Sequence, residues 1–558
     1  MEGGLFGYNA STTSFLSNIF TERLYLPLTS TFLSTSPSGV WIAILALSVP
    51  WVIYQAILAL FRDSQLPANA PPLWKPDHLP FIGAIRFFTG RTDMYLEAVG
   101  AHSQKGPRSG NFSFFLGKRH VVGLGVSTEE RSNFFENRKM SLMQGTAELL
   151  TGLPLTQDIE RFSRYFVSSL VTILSREKFV RNLHRLTDDT RKMCLDLIKK
   201  DLIRPINDGE EESEKTDDKQ WRVMNPFGEI YRLIYQMTIR TLAAEEVADD
   251  RALGDYTLNV FQSLEHRASI AKVFISWLPA PGHYLRIWDG YRLYRVFARV
   301  VKERARTGTR REDTLQYLID AGASIKDITG FVINALFGGQ VNTGINAAWI
   351  PIFLSLSPEW KARAFAEVEG VISRNRTSPE QKPIDILDAL TLDSWQNDFP
   401  VINLCLRECI RLVLLGCPKR KNTSGADIPV NDRGEVIPNG SYGVYLIDQV
   451  HFNPDIYSDP LKFDPGRFEH PRAEDKKVPH AFLGWGAGRH QCLGMRFAKL
   501  EITIIMAYFI ALFEFELASD VHGTPTTTRP PLPNRNDHFS TKPKQPGYLR
   551  YRPRSDMW

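Results

Sequence analysis

The sequence predicts a mainly α-helical fold with small β-sheets, preceded by one transmembrane helix, and three observations carry that prediction. Most of the chain after Asn225 places apolar residues at helical spacing, the 3.6-residue period of a helix buried along one face. Phe112 to Leu124 is an alternating apolar stretch of the kind that forms strands, and the last hundred residues mix short strands and turns with one strong helix. Near the N-terminus, the 22 residues from Val40 to Phe61 carry no charge.

That uncharged run can cross a hydrocarbon core of about 30 Å at roughly 1.5 Å per residue, and Pro50 within it is better tolerated in a membrane helix than in a soluble one. It is too long, and begins too far from the first residue, for a cleaved signal peptide. Only Arg23 is basic before it, whereas Arg62 and Lys75 follow. The positive-inside rule therefore puts the C-terminal side in the cytosol and the tail in the lumen. The expected organisation is a tail over 1–39, an anchor over 40–61, a hinge over 62–90 and one large domain over 91–558. The hinge holds Pro67, Pro71, Pro72, Pro76 and Pro80; fixed φ angles and missing donors make it a stiff spacer. Asn9-Ala10-Ser11 is a glycosylation acceptor expected to face the lumen, while Asn111, Asn375 and Asn422 are expected to stay unmodified in the cytosol.

Within the domain, helices are expected over Asn225–Ala243, Leu253–Val273, Tyr291–Arg306, Ile325–Leu356, Pro358–Ser373, Phe399–Leu415 and Met495–Leu512. Asn207 to Lys219 is highly charged and poor in apolar residues, the composition of a solvated loop. The 558 residues are 43% hydrophobic and 23% charged, enough for a large core. The net charge of +5 comes from scattered Lys and Arg with no basic block, which argues against nucleic acid as a partner. The five cysteines are odd in number and lack zinc spacing, so a disulfide scaffold is excluded and a reducing compartment fits.

One cysteine stands apart. In FLGWGAGRHQCLGMRFAKLE, Phe482 to Glu501, Cys492 follows Gly484, Gly486 and Gly488 and leads through Gly494 into a helix. Glycines allow close backbone approach to a large flat cofactor, and the positive end of a helix stabilises the thiolate form that ligates metals. Trp485-Gly486-Ala487-Gly488-Arg489-His490-Gln491-Cys492-Leu493-Gly494 resembles the cysteine loop of the cytochromes P450, with Trp in place of the usual Phe and His in place of the usual Arg. Glu408 and Arg411 supply that family's ExxR on one helix face, and Arg467 in Phe463–Phe468 resembles its third member, completing a Glu–Arg–Arg triad. The resemblance spans roughly residues 66 to 554 and extends to a terminal strand at Gly547-Tyr-Leu-Arg-Tyr-Arg. It implies a P450 fold with domain 91–558 as the heme-binding catalytic part, heme b as cofactor and Cys492 as its axial ligand. It also implies cofactor contacts from Trp485, Gly486, Gly494, Arg489, His490 and Arg420, the positive charges suiting heme propionates.

The family's central helix normally carries an acid followed by an alcohol, which relay protons. Here Gly338-Gly339-Gln340-Val341-Asn342-Thr343 puts Val341 at the acid position and Asn342 at the alcohol position, with Thr343 about 100° further round. This pattern resembles the clan of sterol 7α- and 12α-hydroxylases and prostacyclin synthase, and the cysteine loop also resembles fungal secondary-metabolism members. Asn342 and Thr343 are the expected catalytic pair. The pocket is expected to be lined from Leu142–Leu155, Phe261–His283, Ala335 and Gly339, Val413–Cys417 and Pro531–Asn534, for a bulky, weakly polar substrate such as a sterol or terpenoid.

Three readings follow. The first is a monooxygenase fed by NADPH-cytochrome P450 reductase from the endoplasmic reticulum membrane, single-pass, with its catalytic domain in the cytosol. The second is a heme-thiolate isomerase or dehydratase that needs no reductase. The third is a non-catalytic heme or sterol carrier.

Overall fold

The computed structural model describes residues 48–51, 54, 65–80, 82–103, 110–149, 159–200, 221–267, 270–274, 280–537, 542–543 and 545–554. The chain divides into two units, Met1–Gln65 and Leu66–Trp558. In the first, residues 48–51 are helical; most of Val40–Phe61 and Asn9 lie outside the described residues, as does Asn207–Lys219 in the second. Among the described residues no helix is long and apolar enough to cross a membrane. From Leu66 on, the proline-rich stretch belongs to the larger unit, where buried Trp74 donates its N–H to Ser113 O at 2.8 Å.

Helices dominate the larger unit, and most are built as the apolar spacing predicts. Helices α1 (Ile159–Ile173) and α2 (Arg176–Ile198) were not singled out from the sequence. Helix α3 (Pro226–Leu242) starts where the Asn225 side chain accepts the Phe227 N–H and Pro226 presets φ. Helix α4 (Arg251–His266), capped by Asp250, ends earlier than the expected Val273; a separate turn, Ala271–Phe274, follows. Helix α5 (Pro281–Thr307) begins well before the expected Tyr291, because exposed Tyr284, Leu285, Ile287 and Trp288 blur the one-sided pattern of its first turns. Helices α6 (Ile325–Ser355), α7 (Pro358–Asn375), α8 (Pro400–Val413) and α9 (Met495–Leu512) lie close to their expected bounds.

Helix α6 is the axis of the fold. It is apolar nearly all round and buried along most of its length, as a helix enclosed by others must be. The adjacent glycines 338 and 339 do not interrupt it. It lies tightly against α3: a Cβ on Gly344 would come within 2.6 Å of the Tyr231 ring, and buried Gln340 donates through Nε2 to Tyr231 O at 2.8 Å.

Two small sheets flank the helices. Strands β1 (Phe112–Leu116) and β2 (Arg119–Gly123) pair antiparallel across a two-residue turn, as the alternating stretch suggested. With β3 (Met140–Ser141), β5 (Lys419–Asn422) and β6 (Tyr442–Val444) they form a sheet of order β1-β2-β6-β5-β3. In the second sheet, β8 (Tyr548–Pro553) lies between β4 (Arg222–Met224) and β7 (Phe513–Ala518). Helix α9 runs straight into β7, so the segment after Cys492 is tied to the core at both ends.

Candidate active site

The cysteine loop has its shape dictated by its own backbone. Gly486 has φ +73° and a Cβ there would meet His490 O at 2.3 Å; Gly488 has φ +59° and a Cβ there would meet Phe135 O at 2.2 Å. Only glycine fits either place. The Cys492 N–H donates to Trp485 O at 2.8 Å and closes the loop, and Gly494 is the residue from which α9 starts. Trp485 is half-buried, with Lys499 Nζ 5.9 Å from its ring centroid.

Of the five cysteines, Cys194, Cys405, Cys409 and Cys417 are buried and Cys492 is exposed. It is exposed into a cavity rather than on the outer surface. Enclosure pushes its thiol up, while the N–H groups of Gly494 and Met495 pull it back toward the thiolate. Burial alone pushes the Cys194 thiol up and leaves it an inert core group.

The cavity holds about 270 Å³ and lies between the cysteine loop and α6. Asn334, Ala335, Gly338, Gly339, Asn342, Thr343 and Asn346 line it from α6; Gly484, Trp485, Cys492, Leu493 and Gly494 from the loop. Helix α9 adds Phe497, Ala498, Glu501 and Ile502, α1 adds Phe166 and Leu170, and α8 adds Leu406 and Ile410. The structure thus brings Ala335, Gly339 and Leu414 to the wall as expected, and Asn342 and Thr343 with them. Of the other expected lining segments, 150–155 and 275–279 lie outside the described residues. Asn342 is exposed to the cavity and Thr343 is mostly covered; the Asn342 carbonyl accepts from Asn346 Nδ2 at 2.7 Å.

Behind the loop, Glu408, Arg411 and Arg467 are fully buried together. Arg411 donates through Nε and Nη2 to the two carboxylate oxygens of Glu408, each at 2.8 Å, and Arg467 Nε reaches Glu408 Oε1 at 3.0 Å. Arg411 also donates to His451 O at 2.6 Å, and His451 Nε2 accepts the Leu483 N–H at 2.9 Å, which links the cluster to the cysteine loop. A further member, Glu474, accepts from Arg467 Nη1 at 2.6 Å. Burial works against the Glu474 carboxylate, yet hydrogen bonds from Ser458, Arg472 and Arg467 hold it below its ordinary range. Glu474 sits in a charged surface-like run, PRAEDKK, and nothing in that string marks it as buried.

The expected cations are near one another. Arg420 is buried and donates through Nη1 to Phe134 O and Phe135 O at 2.6 and 3.0 Å, while its Nε has no partner. Burial pushes Arg420 down to about 10. His490 is lowered first by burial and then by the charges of Arg420 and Arg489, so the three form one electropositive cluster; Arg489 itself is exposed.

These features suit a flat apolar metal macrocycle with an acidic edge. A sulfur opens into an apolar slot, a Cβ on Gly338 would meet nothing within 4 Å on the facing helix, and an unused guanidinium N–H is buried beside His490. The family model for cytochrome P450 matches residues 174–547, and the chain belongs to that family. Among similar proteins, cytochrome P450 monooxygenase AacuE of Aspergillus aculeatus is 32% identical over 82% of this chain and 88% of its own length. Cytochrome P450 monooxygenase nsrP of Aspergillus novofumigatus is 30% identical over 82% of this chain and 85% of its own. Obtusifoliol 14-alpha demethylase of Sorghum bicolor is 30% identical over 52% of this chain and 58% of its own. A heme held by a thiolate is the cofactor of this family, and the thiolate pushes electron density toward O–O cleavage.

Proposed function

We propose that this enzyme is a membrane-bound heme-thiolate monooxygenase that inserts one oxygen atom from O2 into a bulky lipophilic substrate. Electrons come from NADPH through cytochrome P450 reductase. The observation that carries this reading is the opening of Cys492 into an apolar cavity walled on its far side by α6. Cys492 holds the heme b iron; Trp485, Gly486 and Gly494 shape its bed; Arg420, Arg489 and His490 neutralise its carboxylates. Glu408, Arg411 and Arg467 keep the wall behind the loop rigid.

Asn342 and Thr343 orient water and substrate from α6. The largely apolar lining favours a sterol, terpenoid or other bulky secondary metabolite, and the sterol demethylases among the relatives support a substrate of that size. The Gln340-Val341-Asn342-Thr343 pattern aligns the chain with the sterol 7α/12α-hydroxylase clan. Val40–Phe61 anchors it in the endoplasmic reticulum membrane with the catalytic part in the cytosol and Asn9 open to glycosylation in the lumen.

Incubation with a lipid extract, NADPH and reductase tests the reading. A product heavier by one oxygen atom, together with a reduced-CO band of the thiolate type, is expected. Val341 at the acid position favours a second reading, an isomerase or dehydratase. Product formed without NADPH or reductase would establish that one instead.

A further inference from the structure

Helix α6 lacks the acid its family normally carries, but the cavity does not lack an acid. Glu501 lies on α9, nine residues after Cys492, and it lines the same cavity as Cys492, Asn342 and Thr343. It is 1% exposed, in a helix otherwise made there of Leu, Ile and Met. A carboxyl group buried among such residues is kept only where it is hydrogen-bonded or serves a purpose.

Its two oxygens differ. Oε1 accepts from the hydroxyl of Thr238 on α3 at 3.2 Å, and Oε2 is buried with no partner. Among the described residues no cation pairs with it, and burial pushes it well above the ordinary carboxylate range, so the group is neutral near pH 7. With Thr238 donating to Oε1, the acid proton belongs on Oε2. Thr238 sits beside α6: a Cβ on Gly339 would meet Thr238 Cγ2 at 3.5 Å. One turn further along α6, Thr343 lines the cavity, and Asn346 brings to the same wall a buried Oδ1 without a partner. The acid O–H, the Thr343 hydroxyl and the Asn346 carbonyl together offer the two to four polar partners that an ordered cavity water requires.

We propose that Glu501 is the proton-supplying residue of this site, acting through water held by Thr343 and Asn346 in place of the acid missing at Val341. The proposal rests on the monooxygenase reading above. In that reaction O2 takes up two electrons and two protons, one oxygen enters the substrate and the other leaves as water. The Glu501 O–H bond breaks as an O–H bond of the departing water forms, and the carboxylate regains its proton from solvent water. The neutral form is the resting form because burial disfavours the charged one, which makes the carboxylate a short-lived state that reprotonates readily.

The test uses the full-length enzyme in lipid nanodiscs with Glu501→Gln, which keeps an acceptor for Thr238 and removes the acid. Infrared spectra near pH 7 should show a neutral carboxylic acid carbonyl band in the parent that disappears in the variant. With reductase, NADPH and O2 alone, the fraction of NADPH recovered as hydrogen peroxide should rise at least twofold in Glu501→Gln. It should fall back toward the parent value in Glu501→Asp. Loss of the band with unchanged peroxide recovery would make Glu501 a structural partner of Thr238 and overturn the proposal, as would a parent that returns all its NADPH as peroxide. If Glu501→Gln does not retain heme, Glu501→Asp decides alone: peroxide recovery equal to the parent value overturns the proposal. Failure of the monooxygenase reading itself shows differently, as no NADPH consumption by the parent, and removes both.

Discussion

Arg467 Nε stands 3.0 Å from Glu408 Oε1, and neither side chain is reached by solvent. Arg411 engages both oxygens of the same carboxylate, and Glu474 takes another nitrogen of Arg467. The remaining guanidinium N–H groups go to carbonyls, among them Ser458 O and Lys462 O from Arg467 and Pro460 O from Arg411. Two cations and two anions are therefore balanced inside the protein, and the cost of burial is met only while the set is complete.

Removing one member should show this. Glu408→Ala leaves two buried guanidinium groups sharing only Glu474, and an uncompensated buried charge costs about 3–5 kcal/mol. Little holoenzyme is expected, measured as heme content and thermal unfolding. Parent-like values for both would refute the triad as a structural unit.

The ligand assignment makes a spectral prediction. Cys492→Ala should lose the reduced-CO band of a thiolate-ligated heme, whereas Ser replacements at Cys194, Cys405, Cys409 and Cys417 should keep it. In heme-free protein a thiol reagent should label Cys492 first, because the other four are buried. Fast labelling at any of those four would contradict their burial.

Acid should weaken the fold through His451. Burial and then the neighbouring Arg411 cation push this histidine down to about 3, against about 6.5 for an unfolded chain. Between those values the unfolded state binds a proton that the folded state refuses. The contribution is complete above pH 6.5 and shrinks as pH falls, by about 2 kcal/mol between pH 6.5 and 5. Denaturant midpoints across that range should fall less steeply in His451→Gln than in the parent; equal slopes would remove His451 from the account.

Asn342→Ala tests the cavity face of α6. An amide orients water without titrating near neutrality, so its loss should lower product per NADPH and raise peroxide while substrate affinity stays nearly unchanged. A large loss of affinity with intact coupling would make Asn342 a substrate-binding residue only.

Gly344→Ala should loosen the α3–α6 seam, because the added methyl carbon meets the Tyr231 ring at 2.6 Å. Overpacking of this kind costs roughly 1–3 kcal/mol. Thermal unfolding reads it directly, and an unchanged midpoint would show that Tyr231 yields freely.

Much of this arrangement was legible in the sequence, for identifiable reasons. Helix α9 starts after a glycine, and its apolar run leads straight into a strand, so its bounds could be read directly. Cys492, Glu408, Arg411 and Arg467 stand in ordered motifs, and local order is what a linear reading detects. The start of α5 was hidden because its first turns expose Tyr284, Ile287 and Trp288, so periodicity fails as a guide there. Glu474 and Thr238 matter only through partners distant in the chain, Arg467 and Glu501, and pairing of that kind leaves no spacing signal. Glu501 did leave one: a single acid in an apolar helix.

The carbonyl of Phe135 touches two parts of the site at once. Gly488 of the cysteine loop leans on it, and Arg420 donates to it and to its neighbour Phe134. One stretch of backbone thus acts as a gauge block, setting how far the sulfur stands from the guanidinium. A cofactor whose metal and acidic edge are a different distance apart would have to bend either the loop or β5 to be accepted. Selection among macrocycles of similar size is in this sense written into the position of a residue that touches none of them.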